Sequence, residues 1–238
     1  MNEKKNLEKP HLVVFSGAGM SAESGLKTFR DNNGLWENHN VTDVATPEAW
    51  QRDPELVLRF YNMRRKQLMT AKPNKAHKLV AALENNYHVS VITQNIDDLH
   101  ERAGSKNVMH LHGELRKVQS EKYPELVYKW EKDSVALGDT CEKGHQLRPH
   151  VVWFGEAVPM IPKAYELATK ADIFIVIGTS LNVYPAAGIV NYVSKNADCY
   201  VIDPDISPDL VPDNWTILKT GAGEGMKILK DKLIHSKN

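Results

Sequence analysis

Short, uninterrupted apolar runs alternate along this chain with longer stretches in which apolar residues recur every three or four positions. Each run predicts a strand that is buried on both faces, as in a parallel sheet. The predicted strands are residues 12–15, 89–93, 108–113, 172–177, 199–202 and 215–218. The helical periodicity between them predicts helices at residues 20–24, 53–68, 73–83, 163–170 and about 185–196, a short helix ended by Gly104, and a terminal helix after Gly223. Strands that alternate with helices predict an α/β fold with a doubly wound, mostly parallel sheet.

The predicted helix at 53–68 carries a cation on its apolar face. Its stripe consists of Val57, Tyr61, Arg64 and Leu68. Arg64 either extends from the edge of this stripe to solvent or serves a role inside the protein. Its neighbours Arg65 and Lys66 are predicted to face solvent.

The composition changes between Glu114 and Arg148. Charged and turn-forming residues become frequent there and the apolar periodicity fades, which predicts an inserted segment outside the main sheet. Cys141 and His145 are fewer ligands than a structural zinc site needs, so no metal site is predicted. The predicted domains are a main domain at residues 1–31, 75–113 and 151–238, and a small inserted lobe at residues 32–74 and 114–150.

Charge and cysteine content narrow the classes of protein that this chain can be. Its 30 basic and 30 acidic side chains balance, so no electrostatic surface for nucleic acid or membrane is predicted. The two cysteines form no disulfide framework and suit a reducing compartment, which predicts a cytoplasmic location. The charged start of the sequence does not resemble a signal peptide, and no apolar run approaches the length of a membrane span.

The first predicted strand leads into a glycine turn and then a helix. Residues 17–22 fit the G-x-G-x-x-A form of the dinucleotide-binding pattern, with Gly17, Ala18 and Gly19 in the turn. Such a turn lets backbone N–H groups approach a phosphate, although the same glycines also suit a turn that serves packing alone. A dehydrogenase continues with a second strand that ends in an acid. Because the sequence at residues 29–36 is polar and turn-rich instead, with no strand pattern, hydride transfer is not predicted.

Polar residues also follow two later strands. They are Gln94, Asn95 and Asp97 after one strand, and Gly178, Thr179 and Ser180 after the other. Since ligands of open α/β sheets bind at the carboxyl ends of the strands, we expect these residues to line one crevice. Asn95 or Asp97 could instead cap the helix that follows.

Three of the chain's ten histidines bear on structure or chemistry. His77 lies close to the apolar face of the helix at 73–83 and is predicted to be structural. His110 and His112 share a face of the strand at 108–113. His112 is followed by Gly113, a residue suited to a close backbone approach, and imidazole can act as a base near neutral pH.

Taken together, these strand ends resemble the motifs of the sirtuins. They match that family's two NAD motifs, its catalytic histidine, its substrate-binding strand and a further NAD segment, in family order. The matching stretches are residues 17–25 with Phe29 and Arg30, residues 93–97 with Leu99, His100, Ala103 and Gly104, His112 with Gly113, residues 154–156, and residues 178–180 with Val183 and Pro185.

The resemblance implies a Rossmann-like fold and NAD-dependent removal of acyl groups from protein lysines, yielding nicotinamide and O-acyl-ADP-ribose. It implies that His112 is the general base on the nicotinamide ribose and that Asn95 and Asp97 complete the catalytic set. Ala18 and Glu23 would hold the pyrophosphate through their backbone. The cofactor-binding residues that it implies are Gly17, Ala18, Gly19, Ser21, Glu23, Phe29, Arg30, Trp36, Gln94, Asn95, Ile96, Asp97, Gly178, Thr179, Ser180, Asp203, Asp205 and Ala222. Asp203 stands where the family usually has asparagine, and a carboxylate can still accept hydrogen bonds from ribose hydroxyls.

Two departures from the common family pattern refine the prediction. The chain lacks three of the four cysteines that hold zinc in most members, so no zinc is expected. Tyr61 and Arg64 match the Y-x-x-R pair of class III sirtuins, the desuccinylase and demalonylase branch that includes bacterial CobB-type enzymes, and Thr28 and Ala45 also resemble that branch. The implied substrate-binding residues are Ala45, Tyr61, Arg64, Phe154, Gly155, Glu156 and Val158, and the implied partners are proteins with acylated lysines.

Three alternatives differ from this prediction in chemistry. A mono-ADP-ribosyltransferase would use the same cofactor with another acceptor. A non-catalytic module would bind NAD or ADP-ribose without needing a base at His112. A dehydrogenase is disfavoured by the missing second strand and acid. The sequence predicts no oligomeric state.

Overall fold

The structure, a computed structural model, describes residues 9–27 and 39–235. Nine strands lie in the described part: β1 (His11–Ser16), β2 (His88–Thr93), β3 (Val108–His110), β4 (Gly113–Ser120), β5 (Val127–Lys129), β6 (Leu147–Val151), β7 (Ile173–Ile177), β8 (Asp198–Ile202) and β9 (Thr216–Leu218). Six of them form a parallel sheet in the order β3-β2-β1-β7-β8-β9. This sheet confirms the predicted doubly wound α/β fold class.

Eight α-helices accompany these strands in the described residues. They are α1 (Gly19–Ala22), α2 (Val41–Val44), α3 (Pro47–Arg52), α4 (Pro54–Thr70), α5 (Lys75–Ala82), α6 (Leu99–Ala103), α7 (Ile161–Thr169) and α8 (Ala222–His235). Helices cover both faces of the parallel sheet, because α5 and α8 pack on one side and α7 on the other. No helix in the described ranges is both long and apolar enough to span a membrane.

The central strand β1 shows why an uninterrupted apolar run was needed. Leu12 and Val14 pack towards α5 and α8, whereas Val13 and Phe15 pack towards α7. All four side chains are fully buried, since neighbouring strands and helices on both faces leave no polar side for alternation.

The predicted helix at 185–196 is wrong in type and length. The chain forms 3₁₀ turns over Ala186–Tyr192 and becomes extended at Val193. Gly188 and the β-branched Ile189 and Val190 have weak α-helix preference. All three are buried, so packing rather than helical propensity decides the conformation here.

A smaller sheet lies outside the parallel one. It is antiparallel with strand order β5-β4-β6, and it shares an apolar cluster with α2, α3 and α4. The sequence predicted an excursion at residues 114–148 but none of these three strands. The predicted domain boundaries stay a prediction.

The helix α4 begins and packs as its sequence indicates. The side chain of Asp53 caps it by accepting from the Leu56 N–H at 2.9 Å, and Pro54 occupies its first turn. The predicted solvent-facing position of Arg65 is wrong, since its side chain is fully buried. The helix contacts α2 and α3 as well as β4 and β6, so its buried surface is wider than one stripe. Burial lowers the pKa of the Arg65 guanidinium to about 10.

His77 is structural, as predicted. Its ring is fully buried and lies edge-on to the buried ring of His100, with ring centroids 4.9 Å apart. Burial lowers the pKa of His77 to about 4 and that of His100 well below 6.5. Both rings are therefore neutral in the folded protein near neutral pH.

We expect this histidine pair to make the protein acid-sensitive. Between pH 6.5 and 4 the unfolded chain binds a proton at residue 77 that the folded chain does not. Stability from this residue is therefore constant above pH 6.5 and falls as the pH drops to 4, by on the order of 2 kcal/mol near pH 5. The free energy of unfolding can be measured by urea unfolding at a series of pH values in this range. It should fall less steeply with decreasing pH for His77→Phe than for the parent. An equally steep fall in both proteins would contradict the prediction.

Candidate active site

Two glycine turns meet where the strand order changes direction, between β1 and β7. The Gly17 N–H donates to the Ile177 carbonyl at 2.9 Å, and the Gly19 N–H donates to the Gly178 carbonyl at 2.8 Å. A Cβ at Gly178, where φ is +62°, would lie 2.3 Å from the Met20 nitrogen. These glycines therefore let two strand ends approach closely at the switch point, which is where ligands of such sheets bind.

The polar residues after β2 interlock with the first glycine turn. The Asn95 amide donates to the Gly17 carbonyl at 3.0 Å and to Ser21 Oγ at 3.1 Å. Ser21 Oγ in turn donates to Asp97 Oδ2 at 2.9 Å. Gln94 Nε2 donates to Thr179 Oγ1 at 3.1 Å. The three polar strand ends predicted to meet therefore do meet in this structure.

Asp97 combines a helix-start role with burial in this network. Its Oδ1 accepts from the Leu99 N–H at 3.1 Å at the first residue of α6, although Asp98 rather than Asp97 occupies the N-cap position of that helix. Burial raises the pKa of Asp97, opposed by the hydrogen bonds from Ser21 and Leu99. The carboxyl is 8 % exposed and still lines the crevice.

His112 is held as a neutral imidazole with one nitrogen available for chemistry. Its Nδ1 lies 2.9 Å from the Gln94 carbonyl oxygen. A carbonyl can only accept, so Nδ1 carries the proton and Nε2 carries the lone pair. Burial lowers the pKa of His112, with the bond to Gln94 opposing the shift. This arrangement suits a general base.

The glycine after His112 has a steric reason. Gly113 has φ +81°, and a Cβ there would lie 2.2 Å from the His150 carbonyl oxygen. The His112 carbonyl accepts from the Val152 N–H at 2.9 Å. A glycine is thus needed after His112, where the chain leaves the large sheet, enters the small sheet and packs against residues 150–152.

Acidic side chains organise the crevice near the start of α8. Glu23 Oε1 accepts from the Gly223 N–H at 2.9 Å, so this carboxylate holds α8, a role that the sequence did not predict. The buried Asp203 accepts from the Asp205 N–H at 2.9 Å through Oδ1. Ala222, at the first position of α8, lines the crevice beside them.

Tyr61 and Arg64 line the same cavity from α4. Tyr61 is 1 % exposed and Arg64 is 9 % exposed, so Arg64 does not extend to solvent from the edge of the stripe. Trp153 Nε1 donates to the Tyr61 hydroxyl at 3.1 Å. Burial raises the pKa of Tyr61, and the nearby Arg64 and Arg148 charges oppose this rise. Tyr61 is therefore a neutral hydroxyl beside cationic groups.

The segment after β6 is fixed by its own carboxylate. Glu156 Oε1 accepts from Arg148 at 2.6 Å, and Oε2 accepts from the Trp153 N–H at 2.8 Å. The Phe154 N–H donates to the Ala45 carbonyl at 3.0 Å. Glu156, predicted to bind substrate, is thus engaged in holding this segment while it borders the cavity.

One cavity of about 530 Å³ collects the predicted site residues that the structure describes. They are Gly17, Ala18, Gly19, Ser21, Glu23, Ala45, Tyr61, Arg64, Gln94, Asn95, Ile96, Asp97, His112, Phe154, Gly155, Glu156, Val158, Gly178, Thr179, Ser180, Asp203, Asp205 and Ala222. The predicted Phe29, Arg30 and Trp36, together with Thr28, lie outside the described residues. Sequence reasoning missed Trp153, Leu68 and Leu115 on the cavity wall.

Comparison with known proteins assigns the chain to a family. The model of the Sir2 family matches residues 17–185. The chain belongs to the Sir2 family. This confirms the resemblance to the sirtuins, and with it the predicted enzyme class and its cofactor, NAD.

Curated relatives cover nearly the whole chain. A protein of Helicobacter pylori named NAD-dependent protein deacylase is 54 % identical over 224 residues, which are 94 % of this chain and 97 % of that protein. A protein of Bacteroides thetaiotaomicron with the same name is 55 % identical over 229 residues, covering 94 % of this chain and 98 % of the relative.

Solved structures of the family share the fold. A Sir2 homologue in complex with NAD has a TM-score of 0.86 and 39 % identity, covering 97 % of this chain and 92 % of that one. A Sir2 homologue mutant in complex with ADP ribose has a TM-score of 0.86 and 40 % identity, covering 96 % and 94 %.

The described residues fit a dinucleotide. Gly17 and Gly178 have no side chain that would cover the ends of β1 and β7. There is no space for one at Gly17, because a Cβ there would lie 2.7 Å from the Thr179 Cβ. The buried oxygens of Asp97 and Asp203 border the cavity and supply acceptors suited to hydroxyls and amides. This Sir2-family site would thus hold NAD across the ends of β1, β7 and β8.

The small-sheet region contains the one cysteine that could take part in a zinc site there. The buried Cys141 donates to Ser120 Oγ at 3.4 Å, and the Cys141 N–H bonds to the His145 carbonyl at 2.8 Å. With a single cysteine in this region, we expect far less than one equivalent of zinc in protein purified without added metal. A chelator should leave the melting temperature unchanged. Stoichiometric zinc whose removal lowers that temperature would contradict this.

Proposed function

We propose that this Sir2-family enzyme removes acyl groups from protein lysines in an NAD-dependent reaction, with a preference for succinyl and malonyl over acetyl groups. The observation that carries the preference is a buried arginine beside a buried tyrosine in the cavity that also contains His112. An acetyl group gives such a pair nothing to bind, whereas a distal carboxylate is its natural partner.

The residues around His112 have different roles in the proposed reaction. NAD, when bound, supplies a ribose carbon that the acyl oxygen attacks as nicotinamide leaves. His112 then takes a proton from a ribose hydroxyl at Nε2, because Nδ1 is committed to the Gln94 carbonyl. Asn95 and Asp97, joined through Ser21, fix the shape of the pocket around the nicotinamide end. With one water consumed to release the lysine nitrogen, free lysine, nicotinamide and O-acyl-ADP-ribose are the products that we propose.

The wall from α4 supports recognition of an acidic acyl group. Arg64 offers a guanidinium fork, the geometry that pairs best with a carboxylate. Trp153 donates to the Tyr61 oxygen, which leaves the tyrosine proton for a partner other than Trp153. Ala45 lines the same cavity, and its small side chain leaves room for an acyl chain longer than acetyl.

A peptide panel tests both levels of this proposal. One peptide sequence carrying acetyl-, succinyl- or malonyl-lysine is incubated with the enzyme, with and without NAD, and the products are analysed by mass spectrometry. We expect NAD-dependent loss of all three groups, with higher kcat/KM for the acidic ones. Nicotinamide release with ADP-ribose on the protein and no deacylation would favour mono-ADP-ribosyl transfer, and no NAD consumption would favour a binding module.

A further inference from the structure

A second histidine holds the same loop as His112. Three successive backbone carbonyls, those of Gln94, Asn95 and Ile96, accept hydrogen bonds from the segment at residues 110–115. Their donors are His112 Nδ1 at 2.9 Å, His110 Nδ1 at 2.9 Å and the Leu115 N–H at 2.8 Å, in that order. The loop that carries Asn95 and Asp97 is therefore fastened at every residue from 94 to 96.

The two histidines are in different electrostatic positions. His112 Nε2 faces the cavity, whereas His110 Nε2 lies 2.7 Å from Glu101 Oε1 on α6. His110 thus has an acceptor at both ring nitrogens, the Asn95 carbonyl and the Glu101 carboxylate. Two acceptors require two ring protons, so the geometry describes an imidazolium.

We propose that His110 is a positioning residue, whose imidazolium ties the Asn95 carbonyl to the Glu101 carboxylate and so holds the 94–97 loop in its catalytic shape. The proposal rests on the proposed function for its effect on rate, and on geometry alone for the protonation state. It also assigns Glu101 as the partner that keeps this histidine charged.

Charges around the ring agree with an imidazolium. Burial lowers the pKa of His110, but the hydrogen bond and charge of Glu101 outweigh it, and the pKa rises above 6.5. The same pair lowers the pKa of Glu101 against its burial. The other titratable groups that act on this ring are Glu114 from β4, Asp97 from the loop, His100 from α6 and His150 from β6.

The same side chains could also be considered as metal ligands. Ligand atoms of Glu101, His110 and Glu114 lie within 4.8 Å of one another. However, Glu114 already pairs with Lys117, and His110 pairs with Glu101. The two carboxylates are then balanced by two cations, so the cluster has no uncompensated negative charge that would attract a metal ion.

The pH dependence of the two histidines then has opposite sign. His112 acts as a base when neutral, so activity rises through its lowered pKa on the acidic side. His110 holds the loop when protonated, so its bond to Glu101 is present below its raised pKa and is lost as the pH rises through it. We expect a bell-shaped profile of kcat whose alkaline limb belongs to His110.

Glu101→Gln tests this assignment. A glutamine can still accept from Nε2, but it removes the charge that keeps the ring protonated. The alkaline limb should move down by about one pH unit or more, as expected for loss of a neighbouring opposite charge, with kcat at the acidic side within about twofold of the parent. His110→Gln supplies an amide donor that does not titrate, so its alkaline limb should flatten. His88→Gln, an exposed position at the start of β2, is the matched control and should keep the parental profile.

Nuclear magnetic resonance of the ring nitrogens of His110 measures the protonation state without turnover. We expect a His110 pKa above 6.5 in the parent, with both nitrogens protonated below it, and a lower pKa in Glu101→Gln. A His110 pKa that is not raised in the parent, an alkaline limb identical in the parent and Glu101→Gln, or stoichiometric Zn²⁺ bound at Nε2 would each overturn the proposal. Absence of deacylation with a protonated ring would instead reject the proposed function alone.

Discussion

His112→Ala is expected to lower deacylation by about 10²- to 10⁴-fold, the usual cost of removing a general base. The Nδ1 bond to the Gln94 carbonyl leaves Nε2 as the atom that accepts a proton, and alanine supplies neither nitrogen. NAD binding should persist, because the glycine turns and the Asn95–Ser21–Asp97 network stand on other elements. Steady-state kinetics with an acyl-lysine peptide and calorimetric titration with NAD measure the two effects.

A matched variant separates lost chemistry from lost structure. His112→Gln keeps a side-chain donor that can reach the Gln94 carbonyl but has no ring nitrogen to take a proton. It should therefore restore the melting temperature towards that of the parent without restoring kcat. Turnover of His112→Ala within about threefold of the parent would exclude the base role, given the size expected for such a group.

The large sheet could be predicted because its strands are buried on both faces. Phe15 in β1 and Ile175 in β7 belong to runs with no polar interruption, and a local pattern of this kind needs no knowledge of distant residues. The glycine turn could also be recognised locally. The steric reason for these glycines could not be recognised from the sequence. A Cβ at Gly178 would lie 2.3 Å from the Met20 nitrogen, and this close approach joins two segments that are far apart in sequence.

The small sheet escaped prediction for a related reason. The strand β4 is paired to β6 with a register shift between Gly113 and Val118, and such an irregularity breaks the alternation that marks a half-buried strand. Its burial comes from α4 on one side. Charged residues such as Arg116 and Lys117 therefore occur within a strand whose pattern, taken alone, resembles a loop.

Site chemistry was predictable in type but not in every role. Asn95, Asp97 and His112 were expected at one crevice and lie there. Glu23 was expected to hold the pyrophosphate through its backbone and Glu156 to bind substrate; both line the cavity, and their carboxylates have the further role of fixing α8 and the segment after β6. Carboxylates that hold a site and carboxylates that bind its ligand look the same in sequence, since only their distant partners distinguish them.

Arg64→Met is the second large effect that we expect. Methionine retains the apolar stem that packs in the stripe of α4 and deletes the guanidinium. Hydrogen bonds to a charged group contribute roughly 1.5–3 kcal/mol, so kcat/KM for succinyl-lysine should fall about ten- to a hundredfold. Removal of acetyl groups should be nearly unchanged, because acetyl has no carboxylate for Arg64 to bind. Tyr61→Phe should give a smaller loss of the same kind.

The adjacent Arg65 offers a control of unusual closeness. It is the next residue on α4 and is even more buried, yet it does not line the cavity. Arg65→Met therefore removes the same charge from the same helix, and it should change melting temperature while leaving the ratio of desuccinylation to deacetylation as it is in the parent. If Arg64→Met lowers both activities equally, or lowers neither, then Arg64 is a packing residue and the preference for acidic acyl groups lies elsewhere in the cavity. A selective loss in Arg64→Met but not in Arg65→Met assigns acyl specificity to the side of α4 that lines the cavity shared with His112.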